Sequence, residues 1–138
     1  LARMHYSGAG PCDVAHRMAD EAERQAVACS NAVRAAELRR IAENCRVVPE
    51  NPPQTFAQAV QMVWFVHVMF HIEACTTACG FGRFDQYMWP FYKKDVIDEG
   101  VLTRDEVLEL VECLYLKACE VYEVRDTWYV TAFAGYPM

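Results

Sequence analysis

His67, His71, Cys75 and Cys79 place four metal-capable side chains at intervals of four residues. Such spacing keeps neighbours on one helical face. It does not bring all four to one ion. Each step of four turns by about 40°, so the outer two diverge by roughly 120° and lie about 18 Å apart along an unbroken helix. A tetrahedral site cannot span that distance. His67 and His71 could hold an ion only with ligands from elsewhere, and packing as hydrogen-bonded core histidines is the simpler reading. No metal and no cofactor is expected on this segment.

Other candidate sets are less specific. Glu106, Glu109, Glu112 and Glu120 follow the outer face of a helix, where solvation accounts for them. Gly80-Phe81-Gly82 lacks the third glycine and the helix-opening context of a phosphate loop. No Ser–His–Asp or Cys–His set follows from spacing. Gly82-Arg83-Phe84-Asp85-Gln86 is different, because it sets a fixed charge pair and an amide between two apolar helices. Such groups need partners inside a fold. A buried Arg83–Asp85 ion pair that staples the loop is the structural expectation, with direct substrate contact as the alternative.

The elements that must position these residues are mostly helical. Residues 13–45 are rich in Ala, Glu and Arg and contain neither Gly nor Pro, as in a long helix or a broken helical pair. Ala35, Leu38, Ile41, Ala42 and Cys45 make its apolar stripe, and Pro49, Pro52 and Pro53 stop it. Thr55 with Gln58 fits a capping box. Residues 56–73 are apolar nearly all round, the mark of a buried helix. Residues 76–82 read as loop or short strand. Helix resumes over 84–98 with an interruption at Pro90 and an end at Gly100. A second capping box, Thr103 with Glu106, opens a helix to about residue 123, whose apolar face is Val107, Leu110, Val111, Leu114 and Ala118. Residues 128–133 favour a short strand by aromatic and β-branched content. The connections are short, and no domain boundary is expected within residues 1–138.

Composition narrows the class. The chain has 138 residues, 54% hydrophobic and 23% charged, with a net charge of −6. That is globular rather than disordered. No basic face exists to neutralise phosphates, which argues against nucleic acid. The apolar run over 60–72 is too short for a bilayer span and includes Gln61, His67 and His71. Membrane insertion is therefore not expected. The seven cysteines are odd in number, include no Cys-x-x-Cys, and fall mostly on apolar helical faces. They read as reduced thiols in a cytoplasmic protein. The chain opens on Leu1 and closes just after an apolar run, so a fragment is expected.

Several blocks then make a recognisable set. They are Asn51-Pro52-Pro53 with Thr55-Phe56, Trp64-Phe65-Val66-His67, Ile72-Glu73-Ala74, and Gly82-Arg83-Phe84-Asp85-Gln86-Tyr87 with Pro90-Phe91-Tyr92. Lys94-Asp95, Leu102-Thr103-Arg104, Glu112-Cys113-Leu114 with Lys117, and Phe133-Ala134-Gly135-Tyr136-Pro137 continue it. In this order, from Arg40 to Pro137, they resemble the glycyl radical enzymes of the pyruvate formate-lyase type. The likeness is greater to the dehydratase, lyase and decarboxylase branch, whose members include glycerol, hydroxyproline and choline enzymes.

The resemblance implies a fold class: a mainly α segment of a larger α/β barrel. In that family one loop carries a cysteine that becomes a thiyl radical. Another carries a glycyl radical installed by a radical S-adenosylmethionine activase. Both loops lie beyond Met138 in the family pattern, and none of the cysteines here has the Gly-Cys-x-Glu context. No residue of this chain thus inherits a catalytic role. Two stretches would wall the substrate pocket. One is the loop before Gly82, where many relatives read Asn-Gly-His-Ser and this sequence reads Cys75-Thr76-Thr77-Ala78-Cys79-Gly80. Thr76 or Thr77 could supply a hydroxyl in place of the serine, and Thr76, Thr77 and Ala78 are the implied substrate-facing residues of this loop. The other holds Ala134, Gly135 and Tyr136. Implied partners are the remainder of the chain, the radical-activating enzyme, a small-molecule substrate and a second copy in a homodimer.

Two functional readings follow. The first is a scaffold and pocket-wall piece of a radical lyase or dehydratase in anaerobic metabolism, inactive alone. The second is a stand-alone helical remnant or interaction module. Because residues 56–73 need apolar neighbours on every side, the isolated chain is also expected to expose apolar patches and self-associate.

Overall fold

The computed structural model describes residues 10–74 and 79–120. Its elements are α1 (Gly10–Ala28), α2 (Ala32–Val47), α3 (Phe56–Ala74), α4 (Phe84–Tyr92), a π-helix (Lys93–Asp98) and α5 (Arg104–Glu120). No strand occurs among the described residues, and the one expected at 128–133 lies outside them. The mainly α class is as expected. Contacts gather into two compact units, Leu1–Phe65 and Val66–Met138, and α3 gives residues to both.

In the first unit, residues 13–45 form the broken pair rather than one long helix. Asn31 ends the break: its Oδ1 accepts from the backbone N–H of Val33 at 3.0 Å and of Arg34 at 3.2 Å, satisfying donors that a helix start leaves open. The connection of three residues turns α2 back along α1. Arg46, in the last turn of α2, accordingly pairs with Glu23 and, at 3.5 Å, with Asp20 on α1. The seam is made of small residues. Ala15, Ala19, Ala22 and Ala26 of α1 are buried with Ala35, Leu38, Ala42 and Cys45 of α2, at the three-and-four spacing of one helical face. Val48 and Phe65 close the cluster. Ile41, expected in the stripe, is instead exposed, since the seam is narrow enough for the alanines to fill it.

Caps and turns set the remaining helices. The Thr103–Glu106 box is complete. Thr103 Oγ1 accepts from the Glu106 N–H at 3.2 Å, and Glu106 Oε2 accepts from the Thr103 N–H at 2.8 Å. The earlier box opening α3 is displaced by one residue on its return arm. Thr55 Oγ1 accepts from the Gln58 N–H at 3.3 Å, but Gln58 Oε1 takes the N–H of Gln54 at 2.9 Å. Pro90 does not break α4. Its ring forfeits one helical hydrogen bond, and the chain continues into the π-helix. The backbone carbonyl of Asp95 there accepts from the N–H groups of Val101 at 2.8 Å and Leu102 at 3.1 Å. Gly100, at φ +61°, makes that reversal, a backbone conformation that costs other residues about 1–2 kcal/mol. Val107 and Leu114 of α5 are buried, with Leu110, Val111 and Ala118 half-buried, as its apolar stripe requires.

Two expectations about burial are corrected. The α3 helix is not buried all round: Phe56, Ala59, Val60, Phe65 and His67 are, while Val66, Phe70 and Ile72 are exposed. A helix apolar on every side needs neighbours on every side, and the described residues cover only part of it. The cysteines, too, are not mostly buried. Cys45 is; Cys12, Cys29 and Cys79 are half-buried, and Cys113 and Cys119 are exposed. On α5 the inward stripe is filled by larger residues, which leaves the thiols outside.

Val66, Phe70 and Ile72 on α3 and Leu108, Tyr115 and Leu116 on α5 are between 46% and 65% exposed. Exposed apolar side chains in such number favour association. The purified 138-residue chain should elute above its 15.8 kDa monomer mass and bind a hydrophobic dye in native buffer. A monomer with sharp cooperative unfolding would contradict this.

Candidate functional site

The richest cluster of functional side chains surrounds Phe81, in the turn that leads into α4. Gly82 follows it at φ +61°, and this left-handed residue folds the chain back so that Phe81, Phe84 and Tyr87 come together at steps of three. The Phe81 ring lies 5.1 Å from the ring of His67 on α3, 6.1 Å from Phe84 on α4, and 5.5 Å edge-on from Tyr115 on α5. Phe84 in turn meets Tyr87 at 5.6 Å and Tyr115 at 6.4 Å, both edge-on. Edge-to-face pairs of this kind contribute about 0.5–1.5 kcal/mol each beyond their buried area. The Tyr87 hydroxyl donates to the Phe81 backbone carbonyl at 2.9 Å.

The His67 and His71 rings lie one turn apart, tilted by 50° with centroids 4.4 Å from each other. His71 Nδ1 lies 2.9 Å from the His67 backbone carbonyl, which fixes its ring. Burial of His67, and secondarily the neighbouring His71, hold the His67 pKa below the ordinary imidazole value. Partial burial, followed by the nearby Tyr115, pushes the Tyr87 phenol up. The pair therefore presents a neutral imidazole packed on aromatic rings. Among the described residues no group of three metal-capable side chains gathers, and Cys75, the third member of the four-residue series, lies outside them.

The expected Arg83–Asp85 buried ion pair is not formed. Both side chains are exposed, and Arg83 Nη1 instead reaches Gln86 Oε1 at 3.5 Å. The reason is rotational. Phe84 and Met88 take the inward face of α4, with Met88 buried, so Arg83, Asp85 and Gln86 fall outward. Asp85 sits in the first turn of α4, where the helix dipole favours a carboxylate. Glu106, Glu109, Glu112 and Glu120 are exposed, as expected of a solvated face. Thr76, Thr77 and Ala78, together with Ala134, Gly135 and Tyr136, lie outside the described residues. Of the 75–80 stretch the structure describes Cys79, half-buried, and Gly80, exposed. Sequence reasoning missed Phe81 and Tyr115 as organisers of the cluster. The recurrence Phe81, Phe84, Tyr87 beside a glycine was the signal that could have found the first.

This helical arrangement has counterparts among known proteins. Residues 2–138 match the family model described as pyruvate formate lyase-like, and the chain belongs to that family. It is 48% identical over 103 residues to the isethionate sulfite-lyase of Oleidesulfovibrio alaskensis, covering 74% of this chain and 12% of the relative. It is 42% identical over 102 residues to the trans-4-hydroxy-L-proline dehydratase of Clostridioides difficile, covering 73% and 13%. Among solved structures, the glycerol-bound B12-independent glycerol dehydratase from Clostridium butyricum matches with a TM-score of 0.85 at 34% identity, over 93% of this chain and 16% of that one. A structure of 1,2-propanediol dehydration in Roseburia inulinivorans matches with a TM-score of 0.87 at 39% identity, over 92% and 16%. The chain thus spans between 12% and 16% of the length of these relatives, and its helical fold is that of a segment of the larger enzyme.

A buried neutral histidine has a pH signature. His67 binds its proton more weakly folded than unfolded, so its contribution to stability is complete above the unfolded value near 6.5. That contribution is lost as pH falls below 6.5 toward the lower folded value. The urea midpoint of the chain should drop between pH 7 and pH 5, and His67→Gln should flatten that slope. An equal slope in the variant would exclude His67 as its source.

Proposed function

We propose that this chain is a scaffold and pocket-wall segment of a glycyl radical lyase or dehydratase that acts on a small organic substrate. The observation that carries the reading is the match along residues 2–138 to the pyruvate formate lyase-like family, with relatives of about this similarity named as lyases and dehydratases. The thiyl and glycyl loops belong to the rest of the parent chain, and a radical S-adenosylmethionine activase installs the radical. This segment alone is inactive. Its residues 1–138 form one continuous part of the parent domain, a reading supported by α3 running through both compact units. The parent works as a homodimer in the cytoplasm of an anaerobically growing cell. No described helix is long and apolar enough to cross a membrane.

Within the pocket, Thr76, Thr77, Ala78, Ala134, Gly135 and Tyr136 are the proposed substrate-facing residues. Cys75 through Gly80 stand where many relatives carry Asn-Gly-His-Ser, so the serine hydroxyl is missing. Small Ala134 and Gly135 permit close approach, and Tyr136 offers an aromatic wall with a polar tip. The substrate is accordingly more apolar than glycerol. Arg83 and Asp85 serve the scaffold at the start of α4.

The test is anaerobic activation of the full-length parent by its activase, with the glycyl radical followed by electron paramagnetic resonance. Turnover is then measured on diols, amino-acid-derived compounds and arylacetates. A radical signal and turnover of a compound other than the diols are expected. Turnover of diols alone would overturn the substrate reading, and absence of the radical would overturn the enzyme reading.

A further inference from the structure

We propose that Tyr87 is a positioning residue for the parent enzyme's reaction, fixing the backbone from Cys79 to Gly82 through its hydrogen bond to the Phe81 carbonyl. The inference rests on the pocket-wall reading above and adds to it a specific residue outside the expected wall.

The bond spans six residues at 2.9 Å, across the turn made by Gly82. The Phe81 side chain is already held by His67 at 5.1 Å and by the edge of Tyr115 at 5.5 Å. What ring packing leaves free is the peptide plane between Phe81 and Gly82. Glycine tolerates either orientation of such a plane at little cost, so packing alone does not choose between them. The Tyr87 hydroxyl holds the observed one, donating to the Phe81 carbonyl at 2.9 Å. Its own aim is set by the edge contact of its ring with Phe84 at 5.6 Å. Partial burial and then Tyr115 push the phenol's pKa up, which favours the protonated, donating form. One turn-flanking hydroxyl thereby sets the orientation of the backbone that leaves the 75–80 stretch.

The test uses the full-length activated parent and whichever compound the wild type turns over. Y87F keeps the ring and removes the hydroxyl, while Y115F keeps the ring edge against Phe81. Losing one hydrogen bond of ordinary strength should raise KM for Y87F roughly three- to tenfold. The glycyl radical yield and kcat should stay near wild type, and Y115F should keep the wild-type KM. An unchanged KM in Y87F, an equal rise in Y115F, or a loss confined to radical yield or melting temperature would overturn the proposal. Should Y87F fail to fold, difluorotyrosine at position 87 preserves the size and ionises at lower pH. KM should then climb with alkaline pH where the wild type is flat, and a flat profile would overturn the proposal. An inactive wild-type parent would count against the enzyme reading instead, so the two failures are distinguishable.

Discussion

The packing of one aromatic ring organises the second unit. Phe81 is the residue at which α3, α4 and α5 are all represented, through His67, Phe84 and Tyr115. Its place depends in turn on Gly82, since only a left-handed residue there lets a ring so close to the start of α4 fold back onto that helix. The Tyr87 bond to the Phe81 carbonyl spans that turn. The turn also decides which groups face outward, and so why the Arg83 and Asp85 charges are solvated while Phe84 is not.

The first unit is held by a different kind of contact. Its alanine seam gives little apolar area per residue, but it lets two helices lie close enough for dispersion between their backbones. Orientation there comes from the ends: Asn31 at the turn and Arg46 reaching back to Asp20 and Glu23. Such exposed ion pairs add little stability, so their part is to favour one register over its neighbours. The first unit thus packs small side chains along one seam, and the second packs aromatic rings around Phe81.

Local signals in the sequence were read well because their causes are local. The Thr103–Glu106 box, the stop before Pro49 and the stripe of α5 depend on neighbours within a few positions. So does the break near Asn31, although composition alone could not choose between one helix and two. What failed depended on distant partners. Burial of α3 on all sides was inferred from its own residues, yet a helix cannot supply its own surroundings. Charge in an apolar setting points to a buried Arg83–Asp85 pair, but the rotation of α4 turns both outward. The organising role of Phe81 needed α3 and α5 to be brought together in space, which no spacing along the chain reveals. Family membership was legible for the opposite reason, since many weak blocks in fixed order make one strong signature.

The π-helix Lys93–Asp98 carries a consequence for how this segment can vary. Its hydrogen bonds reach five residues back, as from the Glu99 N–H to the Lys94 carbonyl, so the turn holds one residue more than an α-turn of similar rise. That extra residue is stored as girth rather than as length. A chain one residue shorter here can close the turn to α geometry while Pro90 on one side and Gly100 on the other keep their places. The stretch is thus a slack loop of rope in an otherwise taut scaffold, where a one-residue deletion can be taken up between Pro90 and Gly100.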